Sequence, residues 1–188
     1  MFKNKYIIKG DTTEIYCNHR NEEPKICLID TEDLSRLIEY NKTWHSWPCH
    51  TDDTYYIIAS VYVSKNNIED KSTTIFMHSF IMNASTRDKA NRIIVDHKNN
   101  NPLDNRKENL RIADNDQNTK NRKGKNKNNK SGYRNVFWST KDERWLVVLQ
   151  IEKKSKCFGR FKFNDLAKAG ILAEEMRQLH YGEYAGKD

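Results

Sequence analysis

The residues with the clearest chemical potential lie in a short stretch near the middle of the chain. Val95, Asp96 and His97 precede an Asn-rich loop, and Asn109 and Asn118 follow it. A histidine can take up a proton near neutral pH, so His97 is a candidate general base that could activate a water molecule. Hydrolysis of a phosphodiester needs such a water, together with charge stabilisation at phosphorus and help for the departing oxygen.

Strand and helix patterns around this stretch indicate how it would be positioned. A short apolar strand leads to His97, and a second strand covers Asn109 to Ala113 after the loop. A helix starts at Asp114, which forms a capping-box pattern with Gln117. The predicted order is strand, loop, strand and helix.

This stretch resembles the HNH nucleases, whose ββα-metal fold has the same order of elements. The resemblance covers roughly residues 92 to 122 and is carried by Val95-Asp96-His97, Asn101 to Arg106 (NPLDNR), Glu108 to Arg111 (ENLR) and Gln117-Asn118. It implies that His97 is the general base and that Asp96 and Asn118 hold one divalent metal ion. Their oxygen ligands suit Mg²⁺ or Mn²⁺ better than zinc. Asn109 would tie the loop to the second strand and orient the His97 ring.

Several positions differ from the commoner HNH pattern. Asn118 stands where many members have histidine, and a neutral oxygen ligand should bind metal more weakly; phage-type members share this variant. Asn99 and Asn100 replace the usual Asp-Gly, and asparagine tolerates a positive φ. His78, which precedes the motif, is expected either to pack or to contact a phosphate. An isolated Asp-His pair without these companions would be an ordinary loop pair.

The C-terminal third predicts a three-stranded sheet and one helix. The strand-like runs are Tyr133 to Trp138, Arg144 to Ile151 and Ser155 to Phe161. The helix starts at Asn164, and its apolar stripe comprises Ala169, Leu172, Met176 and Leu179.

Residues 131 to 184, and above all Ser131 to Trp138 (SGYRNVFW), resemble the APETALA-type (ethylene-response-factor) DNA-binding domain, a family that presents its sheet to the major groove. The resemblance implies contacts to phosphates or guanine edges. The predicted contact residues are Arg134, Trp138, Arg144 and Arg160. Asn135 replaces the usual glycine, and Trp138 and Trp145 could instead be sheet and core residues.

A basic tract precedes this domain. Residues 121–131 are almost wholly Lys, Arg, Asn and Gly, which is typical of a basic linker. Six cations in this stretch or directly before it would follow the DNA phosphates: Lys120, Arg122, Lys123, Lys125, Lys127 and Lys130. A merely solvated connector is the alternative.

The whole chain is predicted to be α+β. The predicted domains are an N-terminal β-rich α+β module in 1–84, the ββα-metal motif in 85–123, a basic linker in 124–131, and a DNA-binding domain with a three-stranded antiparallel sheet and one helix in 132–188. The N-terminal module contains short antiparallel strands, a brief helix with Leu34, Leu37 and Ile38 on one face, and a hairpin formed by Thr54 to Val63 and Ser72 to Met77.

Composition narrows the class of protein. The net charge of +7 fits a polyanionic partner. There is no apolar run of bilayer length and no signal-peptide core, which indicates a cytoplasmic protein with no membrane partner. The cysteines are expected to be free thiols. The alternative is a zinc-stabilised structural or interaction module, whose ligands would be Cys17, Cys27, Cys49 and His19 or His50.

These patterns predict a metal-dependent endonuclease that cuts double-stranded DNA with Mg²⁺ or Mn²⁺ and without a small-molecule cofactor. One active site per chain favours a monomer that nicks one strand. The resemblance implies a phage or mobile-element origin, with a homing-type role among the possibilities, and a bacterial host cytoplasm. The alternative is a DNA-binding protein whose nuclease centre is inactive.

Overall fold

The computed structural model describes residues 2–19, 22–49, 54–63, 71–84, 93–122 and 124–186. The chain forms two compact units, residues 1–114 and 115–188. Both combine strands with helices, so the predicted α+β class is confirmed. This division at residue 114 differs from the predicted boundaries at residues 84 and 123. The predicted turn after Val63 and the segment 85–92 lie outside the described residues.

The first unit consists mainly of antiparallel strands. Its strands are β1 (Tyr6–Lys9), β2 (Thr12–His19), β3 (Glu22–Asp30), β4 (His45–Pro48), β5 (Tyr55–Val63), β6 (Lys71–Phe76), β7 (Ile94–His97) and β8 (Leu110–Ala113). Its α-helices are α1 (Leu34–Tyr40) and α2 (Met77–Ile81).

Strand β2 connects the two halves of the larger sheet. It pairs antiparallel with β1 and β3, and its Asn18 pairs parallel with His45 of β4. Strands β4, β5 and β6 continue the sheet in antiparallel order, and β7 and β8 form a separate antiparallel pair. The order strand, loop, strand predicted around His97 is therefore present.

The first unit has a core that includes strands β7 and β8. Alternate residues of β2 and β3 are buried, as expected for strands with one face towards a core. The fully or largely buried residues of this core are Ile15, Cys17, Cys27, Ile29, Leu34, Leu37, Trp44, Ile57, Ala59, Met77, Ile81, Val95 and Leu110. Since Val95 and Leu110 belong to β7 and β8, packing fixes the position of the predicted nuclease hairpin.

Two of the cysteines in the alternative zinc set lie inside this core. Cys17 and Cys27 are fully buried, and Cys27 Sγ lies 3.3 Å from Met77 Sδ. Burial raises the pKa of Cys27 to about 12, so its thiol stays protonated. His50 of that set lies outside the described residues. Both core cysteines act as small apolar residues here.

The second unit packs one long helix against a three-stranded antiparallel sheet, as predicted. Its elements are α3 (Asn115–Lys120), β9 (Val136–Ser139), β10 (Arg144–Ile151), β11 (Lys154–Phe161) and α4 (Leu166–Tyr181). The sheet order is β11-β10-β9.

The apolar stripe predicted for α4 is partly wrong. Ala169 is buried, but Leu179 is 70% exposed, while Ala173 and Arg177 are buried. The buried positions follow a four-residue spacing that continues to Tyr181. The first two of these residues, Ala169 and Ala173, are small, so the helix can approach the sheet closely. The row of buried positions is the face of α4 that contacts the sheet.

In the described part of the chain, no helix combines the length and apolarity needed to cross a membrane.

Candidate functional site

The predicted metal ligand Asp96 and the predicted general base His97 are consecutive residues at the end of β7. Asp96 pairs with Arg111 and His97 pairs with Leu110 across the two strands. The backbone turns immediately after β7, where Asn100 N donates to His97 O at 3.0 Å. Asn100 has a φ of 60°, so the asparagine accepts the left-handed conformation expected at this loop.

Asn109 braces the loop between the two strands. Its Oδ1 accepts a hydrogen bond from Asn99 N at 3.0 Å, and its Nδ2 donates to Asp104 O at 2.7 Å. Its main-chain oxygen also accepts from Lys98 N at 2.9 Å. The side chain that precedes β8 thus ties together the start and the middle of the loop.

Strand β3 also holds the loop. Leu28 N donates to Leu103 O and Asn105 N donates to Leu28 O, both at 2.8 Å. Lys107 N donates to Asp30 Oδ2 at 2.7 Å. These hydrogen bonds hold the loop against β3 as they would hold a neighbouring strand. The sequence of β3 gives no sign of this pairing.

His97 lies in a buried aromatic environment. It is 6% exposed, and its ring centroid lies 5.0 Å from that of His78 and 6.3 Å from that of Tyr56. Its Nε2 lies 3.4 Å from Asn105 Oδ1. Burial lowers the pKa of His97, against the opposing effects of Asn105 and Asp96. The ring is therefore held in the neutral form that a general base requires.

Asp96, the predicted metal ligand, forms an ion pair inside the hairpin. The carboxylate is 7% exposed, and its Oδ2 accepts from Arg111 Nε and pairs with Arg111 Nη2, each at 2.8 Å. A carboxylate can accept bonds at both oxygens, so this ion pair is compatible with a bound cation. The predicted donors, a carboxylate and the Asn118 amide, fit a hard ion such as Mg²⁺ or Mn²⁺.

The other predicted ligand, Asn118, lies on α3 in the second unit and is exposed. Across the residues that the structure describes, no group of three or more His, Cys, Asp or Glu side chains is placed to hold a metal ion. The predicted ligands, Asp96 and Asn118, are a carboxylate and an amide, so this absence does not bear on them. Metal binding by Asp96 and Asn118 therefore stays a prediction.

His78 packs in the first unit. Its ring is 9% exposed and stacks on Phe76 with the centroids 5.3 Å apart. Burial, with repulsion from His97 as the smaller cause, lowers the pKa of His78 to about 3. Of the two expectations for this residue, packing is the one that this geometry supports.

The buried His78 predicts a specific pH dependence of stability. Unfolding returns its pKa from about 3 to its ordinary value of 6.5, so the unfolded chain binds more protons between these values. The free energy of unfolding should therefore fall as the pH drops below 6.5, by up to about 1.4 kcal/mol per pH unit. Above pH 6.5 the ring is neutral in both states and contributes no pH dependence.

The measurement is urea unfolding of the parent protein and of His78→Leu between about pH 4.5 and pH 7. The variant should lose stability less steeply on acidification, while His97 and the carboxylates titrate in both proteins. His180→Leu is the control, because His180 is exposed on α4. Parallel curves for the parent and His78→Leu would show that His78 is not held neutral.

The net charge of the chain is concentrated in the second unit. Residues 115–188 contain 17 Lys and Arg and 9 Asp and Glu, which gives a formal charge of +8. Residues 1–114 contain 16 Lys and Arg and 17 Asp and Glu, which gives a formal charge of −1. A charge of this sign and size favours a polyanion, and the asymmetry assigns that attraction to the sheet-helix unit.

The sheet of the second unit divides the predicted DNA contacts between its two faces. Arg144 alternates with the buried Trp145, and Arg160 pairs with Leu146, so both arginines lie on the face away from α4. Trp138 pairs with Trp145 and packs on the core, with the ring centroids 5.0 Å apart. Trp138 therefore belongs to the helix-facing side, which favours the sheet-and-core role that the sequence left open beside a DNA contact.

Phe137 takes the outward position beside Trp138. It is 47% exposed and pairs with Leu146, so the row Phe137, Leu146 and Arg160 crosses the three strands on the outer face. No role was predicted for this residue from the sequence. Strict alternation from the buried Val136 would have found it.

Arg134 is a structural residue in this fold, contrary to its predicted role as a DNA contact. It is 3% exposed, and its Nη1 donates to Arg122 O at 2.8 Å and to Ala185 O at 3.1 Å. Its Nη2 donates to Lys120 O at 2.5 Å. The guanidinium ties the basic tract and the C-terminal end to the sheet, so we remove it from the set of proposed contacts.

The basic tract presents several of its predicted cations to solvent. Lys120 pairs with Asp116 Oδ2 at 2.6 Å and lies over the Tyr181 ring, and Arg122 donates to Asn126. Four others were predicted, of which Lys125, Lys127 and Lys130 are exposed and Lys123 lies outside the described residues. The described part of the tract therefore offers exposed positive charge.

Comparisons with protein-family models, with curated proteins and with solved structures gave no match to this chain.

Proposed function

We propose that this chain is a metal-dependent DNA endonuclease of the HNH class, with His97 as the general base. The observation that carries the proposal is the β7-β8 hairpin. There a buried, neutral His97 stands beside the Asp96 carboxylate at the end of a strand, and Asn109 braces the connecting loop. One short segment thus supplies a proton acceptor, a carboxylate and a loop held in place by hydrogen bonds.

His97 would accept the proton of the water that attacks phosphorus. Its neutral ring is ready for this step, and the nearby Asp96 and Asp104 carboxylates favour the imidazolium that results. Asn109 keeps the loop, and with it the end of β7, in place during the reaction. A Mg²⁺ or Mn²⁺ ion held by Asp96, with Asn118 as the second predicted ligand, would supply Lewis-acid stabilisation of phosphate charge.

The second unit would hold double-stranded DNA. Its charge of +8 attracts the DNA phosphates, and this attraction depends little on the base sequence of the DNA. Arg144 and Arg160 lie on the same outer face of the sheet, where they could reach phosphates or guanine edges. The exposed cations of the basic tract add to the same attraction.

The test is incubation of supercoiled plasmid with the protein in Mg²⁺ or Mn²⁺, beside the same reaction in EDTA. We expect open-circle DNA with either metal and none in EDTA, because the chemistry needs the cation. One active site per chain should give nicked circles before linear DNA. Equal cleavage in EDTA, or none in either metal on DNA that the protein binds, would contradict the proposal.

A DNA-binding protein without cleavage is the second candidate, and one observation favours it. The Asp96 carboxylate is already paired with Arg111, and both side chains are largely buried. That pair neutralises charge that would otherwise attract a cation. Binding to DNA without nicking in either metal would support this candidate.

The outer face of the sheet makes a separate prediction about salt dependence. Replacing Arg144 and Arg160 together by alanine should weaken DNA binding and reduce the slope of log K against log salt by about 0.9 for each phosphate that the variant no longer neutralises. Fluorescence anisotropy over a salt series measures both quantities. Lys168→Ala removes one charge outside this face and is the control, because Lys168 lies on α4 and pairs with Asp165. An equal effect per charge removed would mean that net charge acts without a defined face.

A further inference from the structure

Asn105 is a polar side chain that contacts the His97 ring and for which the sequence predicts no role. It is 1% exposed, and its Oδ1 lies 3.4 Å from His97 Nε2. Its Nδ2 donates to Pro102 O at 3.0 Å and to Cys27 Sγ at 3.2 Å. Its main chain is fixed as well, since Asn105 N donates to Leu28 O.

These contacts determine the orientation of the Asn105 amide. A proline carbonyl can only accept a hydrogen bond, so the group that faces Pro102 O must be the Nδ2 amine. The Cys27 thiol stays protonated at neutral pH and accepts weakly at sulfur. The amide oxygen is therefore directed at His97, and a carbonyl oxygen can only accept.

We propose that Asn105 is a positioning residue that holds His97 in the tautomer with the proton on Nε2. A neutral imidazole carries one N–H, so this hydrogen bond leaves Nδ1 as the nitrogen that accepts a proton. The sequence assigns orientation of the ring to Asn109, whereas here Asn109 braces the loop and Asn105 contacts the ring. The catalytic part of this inference rests on the proposed nuclease function.

The anchor for this tautomer comes from outside the nuclease motif. Cys27 and Leu28 lie on β3, far from His97 in sequence, and together they hold the side chain and main chain of Asn105. Strand β3 thereby sets which nitrogen of His97 faces the reaction. A nuclease motif separated from residues 22–30 would lose that control.

The first test reads the tautomer directly and needs no activity. Long-range ¹H–¹⁵N spectra of the ¹⁵N-histidine-labelled, metal-free full chain are recorded at about pH 8, where an ordinary histidine is neutral. The His97 signals are identified by their loss in His97→Ala. We expect a protonated Nε2 and an unprotonated Nδ1. The opposite tautomer in the parent protein would overturn the proposal, whatever the variants do.

The second test uses Asn105→Leu, which keeps the volume and removes the acceptor. His97 should then become a mixture of tautomers, and single-turnover nicking should slow by about 10- to 100-fold, by analogy with the loss of a partner that orients a metal-bound histidine. The affinity for DNA should not change. Asn105→Asp, which keeps an acceptor oxygen, should restore the Nε2-H tautomer and part of the rate. Asn164→Leu, an exposed asparagine of the second unit, is the control.

The outcomes separate the two proposals. A folded Asn105→Leu with an unchanged His97 spectrum would overturn the positioning role. If the parent protein does not nick DNA in either metal, the nuclease function fails, and the His97 spectra of the parent and of Asn105→Leu decide whether Asn105 fixes the ring.

Discussion

The His97→Ala substitution should lower the rate of metal-dependent plasmid nicking by about 10²- to 10⁴-fold, the usual contribution of a general base. The variant keeps Asp96 but loses the imidazole that we propose takes the proton of the attacking water. DNA binding should be retained, because the excess positive charge lies in residues 115–188. Single-turnover nicking and anisotropy binding, measured on the same preparations, distinguish loss of chemistry from loss of affinity.

The matched control is His180→Ala, another histidine removed from the same chain. His180 is exposed on α4 and its ring lies 4.9 Å from that of Phe158, so its loss should leave nicking unchanged. Thermal unfolding should show that His97→Ala is folded. Nicking at the parent rate by folded His97→Ala would assign the activity to another site and remove His97 from the mechanism.

The Arg134→Ala substitution should destabilise the second unit by about 3 kcal/mol, because hydrogen bonds to charged groups contribute about 1.5–3 kcal/mol and their buried acceptors would lose a partner. Arg134 bonds to the carbonyl oxygens of Lys120, Arg122 and Ala185. DNA binding should weaken as a result of unfolding, although Arg134 itself does not touch the DNA. Hydrogen exchange of the β10 amides, measured by mass spectrometry, reports the stability of this unit.

Arg160→Ala is the contrasting variant for this prediction. Arg160 is exposed on the outer face of the sheet, so its removal should change stability by less than about 0.5 kcal/mol. It should nevertheless weaken DNA binding. If Arg134→Ala leaves β10 exchange unchanged yet weakens binding as Arg160→Ala does, then Arg134 contacts DNA and our correction is wrong.

Much of the fold could be predicted from local patterns. Alternation of apolar and polar residues gave β10 as Arg144 to Ile151, and the structure has the same bounds. The three-stranded sheet with one helix follows from such runs, since period-two patterns report which face is buried. The helix stripe was less accurate: Leu179 fits an apolar face by type, but Arg177 is buried and Leu179 is exposed.

The burial of Arg177 could not be predicted from residue type. Its guanidinium Nη1 donates to Arg134 O at 3.1 Å, so the charge is accommodated by a main-chain carbonyl that lies far away in sequence. Burying an arginine costs free energy unless its guanidinium is hydrogen-bonded, and the acceptor comes within reach only when the chain folds. Arg134 was assigned to DNA from the resemblance of residues 131 to 184 to the APETALA-type domain, and its residue type gives no sign that it is buried.

For the candidate site, the sequence by itself determined which chemistry is available: a histidine beside a carboxylate, oxygen donors for a hard cation, and an excess of positive charge. These depend on residue types and short spacings, which do not change on folding. The tertiary structure decided how they are used, because β3, the loop and α2 come together only in the fold. Burial makes His97 neutral, Asn105 contacts its ring, Asp96 is paired with Arg111, and the sheet separates Arg160 from Trp138. Each of these outcomes depends on desolvation or on a contact between distant segments, and neither is encoded in a local pattern.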